Sequence, residues 1–279
     1  MKSFNVSVLV VTALVASMVS EVVAVGPLST LYVTNYGEFS GGTVTGLDLI
    51  QGATVSSYPA NDLLGINIAV SGDVRTHGYS TNDSGSRYDL AANPLVGGPY
   101  INTISGSQLH DGTSDGNYNY SVNYTTGDVL RFDRNWASPN VVFNATANIP
   151  GAGWITMDVS DGSFWISQWG GPDLVAHFTG AGTLLSTFNS GVFGSVGLAL
   201  DPIDGTLWMG DSNFVLHQYN QSGIPLQTTT PYGVPGSWYG MEFDTRSITT
   251  AAPEPSSIFF PAFVFAGLAV WKLRSYLLT

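Results

Sequence analysis

Apolar and polar positions in the second half of the chain repeat with a period of 43 residues. The segment 154–166 can be laid over 197–209 without a gap. Each copy has a short apolar run, a turn that ends in Asp-Gly, and a second apolar run that contains a tryptophan. Two strand-like runs on either side of an Asp-Gly turn predict a β-hairpin in each copy.

Two further strand-like runs follow each hairpin. The first covers 175–178 in one copy and 215–218 in the other, and the second covers 183–188 and 224–228. Four short strands in about 40 to 45 residues are typical of one blade of a β-propeller, because a single blade buries its faces only by stacking on its neighbours.

Similar but more diverged copies begin near residues 65 and 108, and a last copy begins near 240. The last copy has only its first strand, and its remaining strands are predicted at the other end of the chain, at 30–35, 43–49 and 54–58. The sequence therefore predicts an all-β protein, a propeller of five four-stranded blades closed by strands from both termini. Six blades are the alternative, because 62–150 is the least regular region, and a gapless repeat argues against a β-sandwich.

The chain begins with features of a secretory signal peptide. Lys2 precedes an apolar stretch at 6–19, and small residues at 22–24 offer a cleavage site. We therefore predict a signal peptide at 1–24 and a β-propeller domain at 25–250.

The body of the chain is strongly acidic and has no cysteine. Residues 25–252 contain five arginines, no lysine and eighteen Asp and Glu residues, a net charge of about −13. Nucleic acid is excluded as a partner because such a charge repels phosphates. Without thiols there is neither a disulfide nor a cysteine nucleophile, and the envelope of a Gram-negative bacterium fits these properties.

Aspartates recur at the predicted hairpins, namely at Asp158, Asp161, Asp201, Asp204 and Asp244. We expect them to accept backbone N–H groups in turns. The alternative is a ring of carboxylates that holds a divalent cation such as Ca²⁺. The segment 111–117 also contains two aspartates, but it lacks the spacing of an EF-hand. No cofactor is therefore predicted, with Ca²⁺ as the alternative.

Four histidines, His77, His110, His177 and His217, are candidates for chemistry. His177 and His217 are predicted to share one position of the third strand with Arg131, in different blades and without converging on a metal. No phosphate-binding loop, serine-nucleophile elbow or zinc-ligand spacing is present.

Tryptophans are the other candidates. Trp165 and Trp208 are equivalent in the repeat and are predicted to lie in the core. Trp136, Trp169 and Trp238 lie beside Gly and Pro in predicted loops. We interpret them as core residues, with stacking on sugar rings as the alternative.

The C-terminal segment has three parts. Pro253, Glu254 and Pro255 precede an apolar run of 14 residues at 258–271, which Lys272 and Arg274 follow. As a helix this run is about 21 Å long, so it spans a hydrocarbon core of about 30 Å only if residues 273–278 extend it and the two cations snorkel. We predict a transmembrane helix with its cations on the cytoplasmic side, and a buried helix of the domain is the alternative.

These three parts resemble the PEP-CTERM sorting signal of Gram-negative bacteria that often produce exopolysaccharide. The resemblance implies that an exosortase in the inner membrane recognises Pro253, Glu254 and Pro255 and removes the tail during export. The sorting signal would then cover 251–279, with Lys272 and Arg274 as its basic end. The repeat itself, Gly-x-x-x-Asp followed by Asp-Gly-x-Leu-Trp, resembles NHL-like and gluconolactonase-like propellers.

The predicted function is that of an exosortase-sorted protein of the cell surface or extracellular matrix. Its propeller would be a binding or structural scaffold, with extracellular polysaccharide as the expected partner and the inner membrane as a transient one. The alternative from another class is a metal-dependent lactonase or lyase. A third possibility is a protein that keeps its tail as a membrane anchor.

Overall fold

The computed structural model of the protein describes residues 30–36, 43–48, 53–59, 65–91, 93–171, 173–230 and 237–246. The predicted signal peptide and the C-terminal segment, including Pro253, Glu254, Pro255, Lys272 and Arg274, lie outside the described residues. The chain divides after Arg246, and all described residues belong to the first unit. None of them belongs to a helix with the length and apolar character of a membrane span.

The described residues form 21 β-strands. In chain order they are β1 Thr30–Tyr36, β2 Thr43–Asp48, β3 Ala53–Pro59, β4 Gly65–Val70, β5 Val74–Gly78, β6 Ser84–Gly85, β7 Arg87–Tyr88, β8 Tyr100–Ile101, β9 Leu109–Ser114, β10 Tyr118–Asn123, β11 Asp128–Asp133, β12 Asn140–Asn144, β13 Ala152–Asp158, β14 Ser163–Gln168, β15 Leu174–Phe178, β16 Leu184–Asn189, β17 Ser195–Leu200, β18 Leu207–Asp211, β19 Leu216–Tyr219, β20 Pro225–Thr229 and β21 Ser237–Phe243.

These strands form the five blades of a β-propeller. Blades 2, 3 and 4 are the sheets β9–β12, β13–β16 and β17–β20, and blade 1 is built from β4 to β8. The innermost strands β4, β9, β13, β17 and β21 contact one another in that order around the ring, and β21 contacts β4. The prediction of five blades is confirmed, and the six-bladed alternative is wrong.

Blade 5 joins the two ends of the propeller. Its strand order is β21-β1-β2-β3, so the strand nearest the C-terminus is innermost and the three strands nearest the N-terminus complete the sheet. β21 pairs antiparallel with β1, with Leu31 opposite Phe243 and Thr34 opposite Gly240. The predicted closure of the ring by strands from both ends of the propeller is confirmed.

Blade 1 departs from the four-stranded pattern. β4, β5 and β7 form one sheet, whereas β8 pairs with the short β6 in a separate two-stranded sheet. β8 therefore does not pair with the third strand, β7, as the fourth strand of a regular blade would. The segment between Tyr88 and Tyr100 instead folds back through a bridge between Tyr88 and Pro94.

The two Asp-Gly turns have the geometry that their sequence predicts. Gly162 and Gly205 adopt φ values of +76° and +70°, which a residue with a Cβ rarely adopts. Their N–H groups donate to the carbonyl oxygens of Asp158 and Asp201, at 2.8 and 2.9 Å. The turns therefore fix both hairpins locally.

The hydrophobic core lies between the blades. Apolar side chains of facing sheets form clusters at every blade interface, and Trp154, Trp165, Trp208 and Trp238 are the largest of them. Trp165 and Trp208 are completely buried, as predicted. The fourth strands of blades 2, 3 and 4 are mostly exposed, because they lie at the outer edges of their sheets.

Candidate functional site

A β-bulge interrupts the innermost strand of every blade near its start. The pairing with the second strand skips Ile66 in β4, Gly153 in β13, Val196 in β17 and Tyr239 in β21, and the irregularity in β9 falls on 110–111. A bulge turns the side chain of its extra residue away from the ordinary sheet face. The five bulges lie at the end of the central channel where the innermost strands begin.

Six ring side chains gather at this end of the channel, and we call this cluster the aromatic mouth. Three of the rings come from innermost strands and three directly follow the second strands of blades 1, 2 and 3. The residues are His110, Trp154, Tyr239, Tyr79, Tyr124 and Trp169.

His110 lies at the centre of the aromatic mouth. Its ring centroid is 5.0 to 5.1 Å from those of Tyr79, Tyr124 and Trp154, and 5.6 Å from that of Trp169. The Tyr124 ring is stacked on the imidazole, whereas Trp169 meets it edge-on. Tyr239 completes the cluster at 6.5 Å.

The imidazole of His110 is neutral at neutral pH. It is buried, and neither ring nitrogen has a hydrogen-bond partner among the described residues. Burial lowers the pKa of His110 to about 4, because a charged imidazolium would lose its hydration among apolar rings. A neutral ring nitrogen in this position can donate or accept one hydrogen bond from a ligand.

Trp169 gives the aromatic mouth an open surface. It keeps 37% of its surface exposed, and its ring is perpendicular to that of Tyr124 at 5.1 Å. Gly153 leaves room for it, because a Cβ there would lie 3.0 Å from the Cβ of Trp169. Of the three tryptophans considered for sugar stacking, only Trp169 is exposed, whereas Trp136 and Trp238 are buried core residues.

One buried carboxylate, that of Asp111, contacts the innermost strands of four blades. Asp111 is completely buried, and its side chain accepts hydrogen bonds from the backbone N–H groups of Gly112, Ile155, Leu198 and Met241. The distances from the backbone nitrogen to the Asp111 carboxylate oxygen are 2.9 Å for Gly112, 3.1 Å for Met241 and 3.2 Å for Leu198. These four residues are spaced 43 positions apart, one in each of four blades. Asp111 therefore satisfies the inward-facing N–H groups of four sheet edges at once.

Glu242 is a second buried carboxyl in the channel. It accepts hydrogen bonds from the N–H of Phe243 at 3.0 Å and from the hydroxyl of Thr156 at 3.2 Å. Burial raises the pKa values of both Glu242 and Asp111 well above their ordinary range, and the charge of Asp111 raises that of Glu242 further. The four N–H donors favour the charged form of Asp111 and so oppose the effect of burial on its pKa.

The aspartates of the repeat are turn residues, as predicted. The carboxylates of Asp158, Asp161, Asp201, Asp204 and Asp244 each accept the N–H of the residue two positions later. No cluster of three or more His, Asp or Glu side chains that could hold a metal ion occurs among the described residues.

The segment 111–117 is not a single loop. Asp111 lies in β9 within the channel, whereas Asp115 lies in the following turn and accepts the N–H groups of Asn117 and Tyr118. The two aspartates therefore do not belong to one loop.

The strand register corrects the alignment of two histidines. His177 pairs with Trp165, but the partner of the equivalent Trp208 is Gln218, one residue after His217. The two histidines therefore lie on opposite faces of their sheets, and Arg131, which pairs with Tyr120, occupies the position of His177 and not that of His217. The imidazole of His177 hydrogen-bonds Ser163 at 2.8 Å, and that of His217 lies 3.1 Å from Asp211.

Most residues of the aromatic mouth were not predicted from the sequence, although the sequence contains a signal for them. Tyr79, Tyr124 and Trp169 are spaced 45 residues apart, each just after the second strand of its blade. An aromatic residue at one repeat position in three consecutive blades indicates a shared surface. The role of Asp111 had no such signal, because the sequence does not show which side chain reaches the axis.

Comparison with known proteins identifies the fold but no family. No protein-family model matches the sequence, and no curated protein matches it. The structure is similar to a chain of a nidogen/laminin complex, with a TM-score of 0.52, 10% identity and coverage of 78% of this chain and 99% of that chain. It is also similar to a protein of unknown function from Bacteroides thetaiotaomicron, with a TM-score of 0.51, 14% identity and coverage of 78% and 66%. At these identities the likeness supports the propeller fold alone.

Proposed function

We propose that this protein is an exported, exosortase-sorted surface protein whose propeller binds extracellular polysaccharide at the aromatic mouth. The observation that carries the binding half is the exposed ring of Trp169 beside the buried, unpartnered imidazole of His110. An exposed indole offers an apolar face to a sugar ring, and a neutral imidazole offers one directed hydrogen bond. A propeller scaffold suits this role because its blades hold the side chains rigidly at one end of the channel.

A binding assay with matched variants tests this half. The purified full chain is applied to immobilised exopolysaccharide of its host, with dextran and cellulose as further probes. Trp169→Ala should weaken retention at least about tenfold, because a stacking platform is lost. The matched control is Tyr118→Ala, since Tyr118 is exposed to a similar degree at the opposite end of its blade.

Equal loss with both variants would show that retention does not depend on the aromatic mouth. If the protein is retained on none of the polysaccharides, the proposal that the propeller binds polysaccharide is wrong. Thermal unfolding of both variants is measured in parallel, so that misfolding is distinguished from loss of the site.

The sorting half rests on the sequence of the two chain ends. Pro253, Glu254 and Pro255 precede the apolar run, and prolines at these positions favour the extended backbone that a peptidase accepts. In this proposal the exosortase removes the tail, and the inner membrane is only a transient partner.

Intact mass of the protein recovered from the host surface or culture fluid tests the sorting half. We expect an N-terminus near residue 25 and a C-terminus near Pro253. Replacement of Glu254 by Ala should leave the tail attached. A natural C-terminus at Thr279 would contradict the proposal and indicate a permanent membrane anchor.

Nothing in the described residues favours the lactonase or lyase alternative. Such an enzyme needs convergent carboxylates that a substrate can reach. Asp111 and Glu242 are completely buried, and they accept hydrogen bonds from the backbone of neighbouring blades and from Phe243 and Thr156, respectively.

A further inference from the structure

Three of the five arginines of the body converge on a single carboxylate. Asp73 lies in the turn between β4 and β5 and is buried. It accepts hydrogen bonds from Arg75 at 2.9 to 3.0 Å, from Arg87 at 2.6 Å and from Arg134 at 2.5 Å. We call these four residues the arginine cluster.

The arginine cluster carries two uncompensated positive charges. Apart from Asp73, the partners of Arg75 and Arg134 are neutral side chains and backbone carbonyls, including Asn119 and Asn135. The neighbouring Arg246 adds no net charge because it is paired with Asp244. The side chains of Arg75 and Arg134 are only 10% and 15% exposed, so water compensates this charge poorly.

A groove of about 430 Å³ opens beside the arginine cluster. It is formed by the fold-back segment of blade 1 and is lined by Arg87, Tyr88, Leu95 and Val96 together with two prolines. The side chain of Arg87 is one-third exposed, and its Nη2 has no partner among the described residues. This volume is in the range of small-molecule sites.

A second donor lies directly behind Gly97, which is part of the groove lining. Tyr100 is only 4% exposed, and its hydroxyl has no hydrogen-bond partner among the described residues. Gly97 lines the groove, and a Cβ there would lie 3.2 Å from Tyr100 Oη and 3.9 Å from Arg87 Nη1. The hydroxyl of Tyr100 and the guanidinium of Arg87 therefore both lie next to Gly97, a residue of the groove lining.

We propose that this groove binds a small organic carboxylate such as a uronic acid. The guanidinium of Arg87 and the hydroxyl of Tyr100 donate to the carboxylate, and the apolar walls contact the body of the ligand. The bound negative charge compensates part of the excess charge of the arginine cluster. This site lies in blade 1 and is independent of the proposed function of the aromatic mouth.

Calorimetric titration of the purified full chain with sodium glucuronate tests the proposal, with glucose and sodium acetate as comparison ligands. We expect glucuronate to bind and glucose not to bind. Arg87→Gln should weaken glucuronate binding at least about tenfold. The matched control is Arg131→Gln, which makes the same change in net charge at an exposed arginine outside the cluster and should leave binding unchanged.

Tyr100→Phe is the second variant, and it keeps the proposal testable if Arg87→Gln does not fold. It removes only a hydroxyl that has no partner in the described protein, so folding should be retained while glucuronate binding weakens several-fold. Acetate that binds as well as glucuronate would support the carboxylate contact and identify a simple acid as sufficient.

Three results would overturn the proposal. The first is that glucose binds as tightly as glucuronate. The second is that Arg87→Gln and Arg131→Gln weaken glucuronate binding equally. The third is that neither glucuronate nor acetate gives a heat of binding at millimolar concentration.

Discussion

Asp111 shows how much of this fold depends on one side chain. The innermost strand of a blade has an unpaired edge that faces the axis, and its buried N–H groups need acceptors. Gly112, Ile155, Leu198 and Met241 all donate to this one carboxylate. A residue that resembles a catalytic acid is thus a structural acceptor shared by four blades.

Asp111→Asn should destabilise the protein by about 3 kcal/mol, because asparagine has one acceptor oxygen and turns an NH₂ group toward N–H donors. Urea unfolding measures the loss. The control is Asp204→Asn in an exposed turn, which should cost about 1 kcal/mol or less. Similar losses for the two variants would contradict the role of Asp111 at the axis.

Glu242 makes the stability depend on pH in a defined direction. Its folded-state pKa lies above the value in the unfolded chain, so the folded protein keeps a proton that the unfolded chain releases. The contribution of Glu242 therefore becomes less favourable as the pH rises above about 4.5, by up to about 1.4 kcal/mol per pH unit until the folded-state pKa is reached.

Glu242→Gln should remove this dependence, because the amide resembles the protonated acid and does not titrate. Unfolding free energies of the two proteins between pH 4 and 8 measure the effect. The variant should gain stability relative to the wild type as the pH rises. Parallel curves would mean that Glu242 is ionised in the folded state.

At the scale of single elements, the five innermost strands lie so close to the axis that the size of the side chains there is limited. Gly240 in β21 is the tightest example, since a Cβ would lie 2.5 Å from the carbonyl oxygen of Ile66 and 3.1 Å from Asp111 Oδ1. The bulges act on the same strands, and they direct His110 and Tyr239 into the aromatic mouth.

Gly240→Ala should cost about 3 kcal/mol or more, because the contact with Ile66 is with rigid backbone and forces β21 away from β4. Thermal unfolding measures the change. Gly106→Ala is the control, since a Cβ there meets nothing within 4 Å and the penalty comes only from its φ of +69°. That penalty is about 1 kcal/mol. An equally small effect at Gly240 would mean that the strands move apart easily.

For the whole molecule, the ring is stable only when blade 5 contains strands from both ends of the chain. Without β21, blade 5 loses its innermost strand and both blades beside it lose a packing partner. The contacts that close the ring are therefore those between residues most distant in sequence.

A chain ended after Thr230 should lose cooperative unfolding, whereas a chain ended after Arg246 should keep it. Circular dichroism and urea unfolding of the two truncated proteins measure this difference. Cooperative unfolding of the shorter chain would contradict the closure by β21.

The sequence by itself determined the number of blades, the hairpins and the ends that meet in blade 5. These features depend on local patterns, namely a 43-residue period, strand-like runs and Asp-Gly turns, and each is repeated often enough to be recognised. The burial of Trp165 and Trp208 followed from the same repeat.

Only the tertiary structure decided which side chains meet. The bulge in β9 directs His110 toward Trp169. The register of the third strands places His177 and His217 on opposite faces of their sheets. The convergence of three arginines on Asp73 likewise joins residues of two blades. Contacts across the axis and between blades are set by the packing of segments that are distant in sequence, so a local sequence pattern does not predict them.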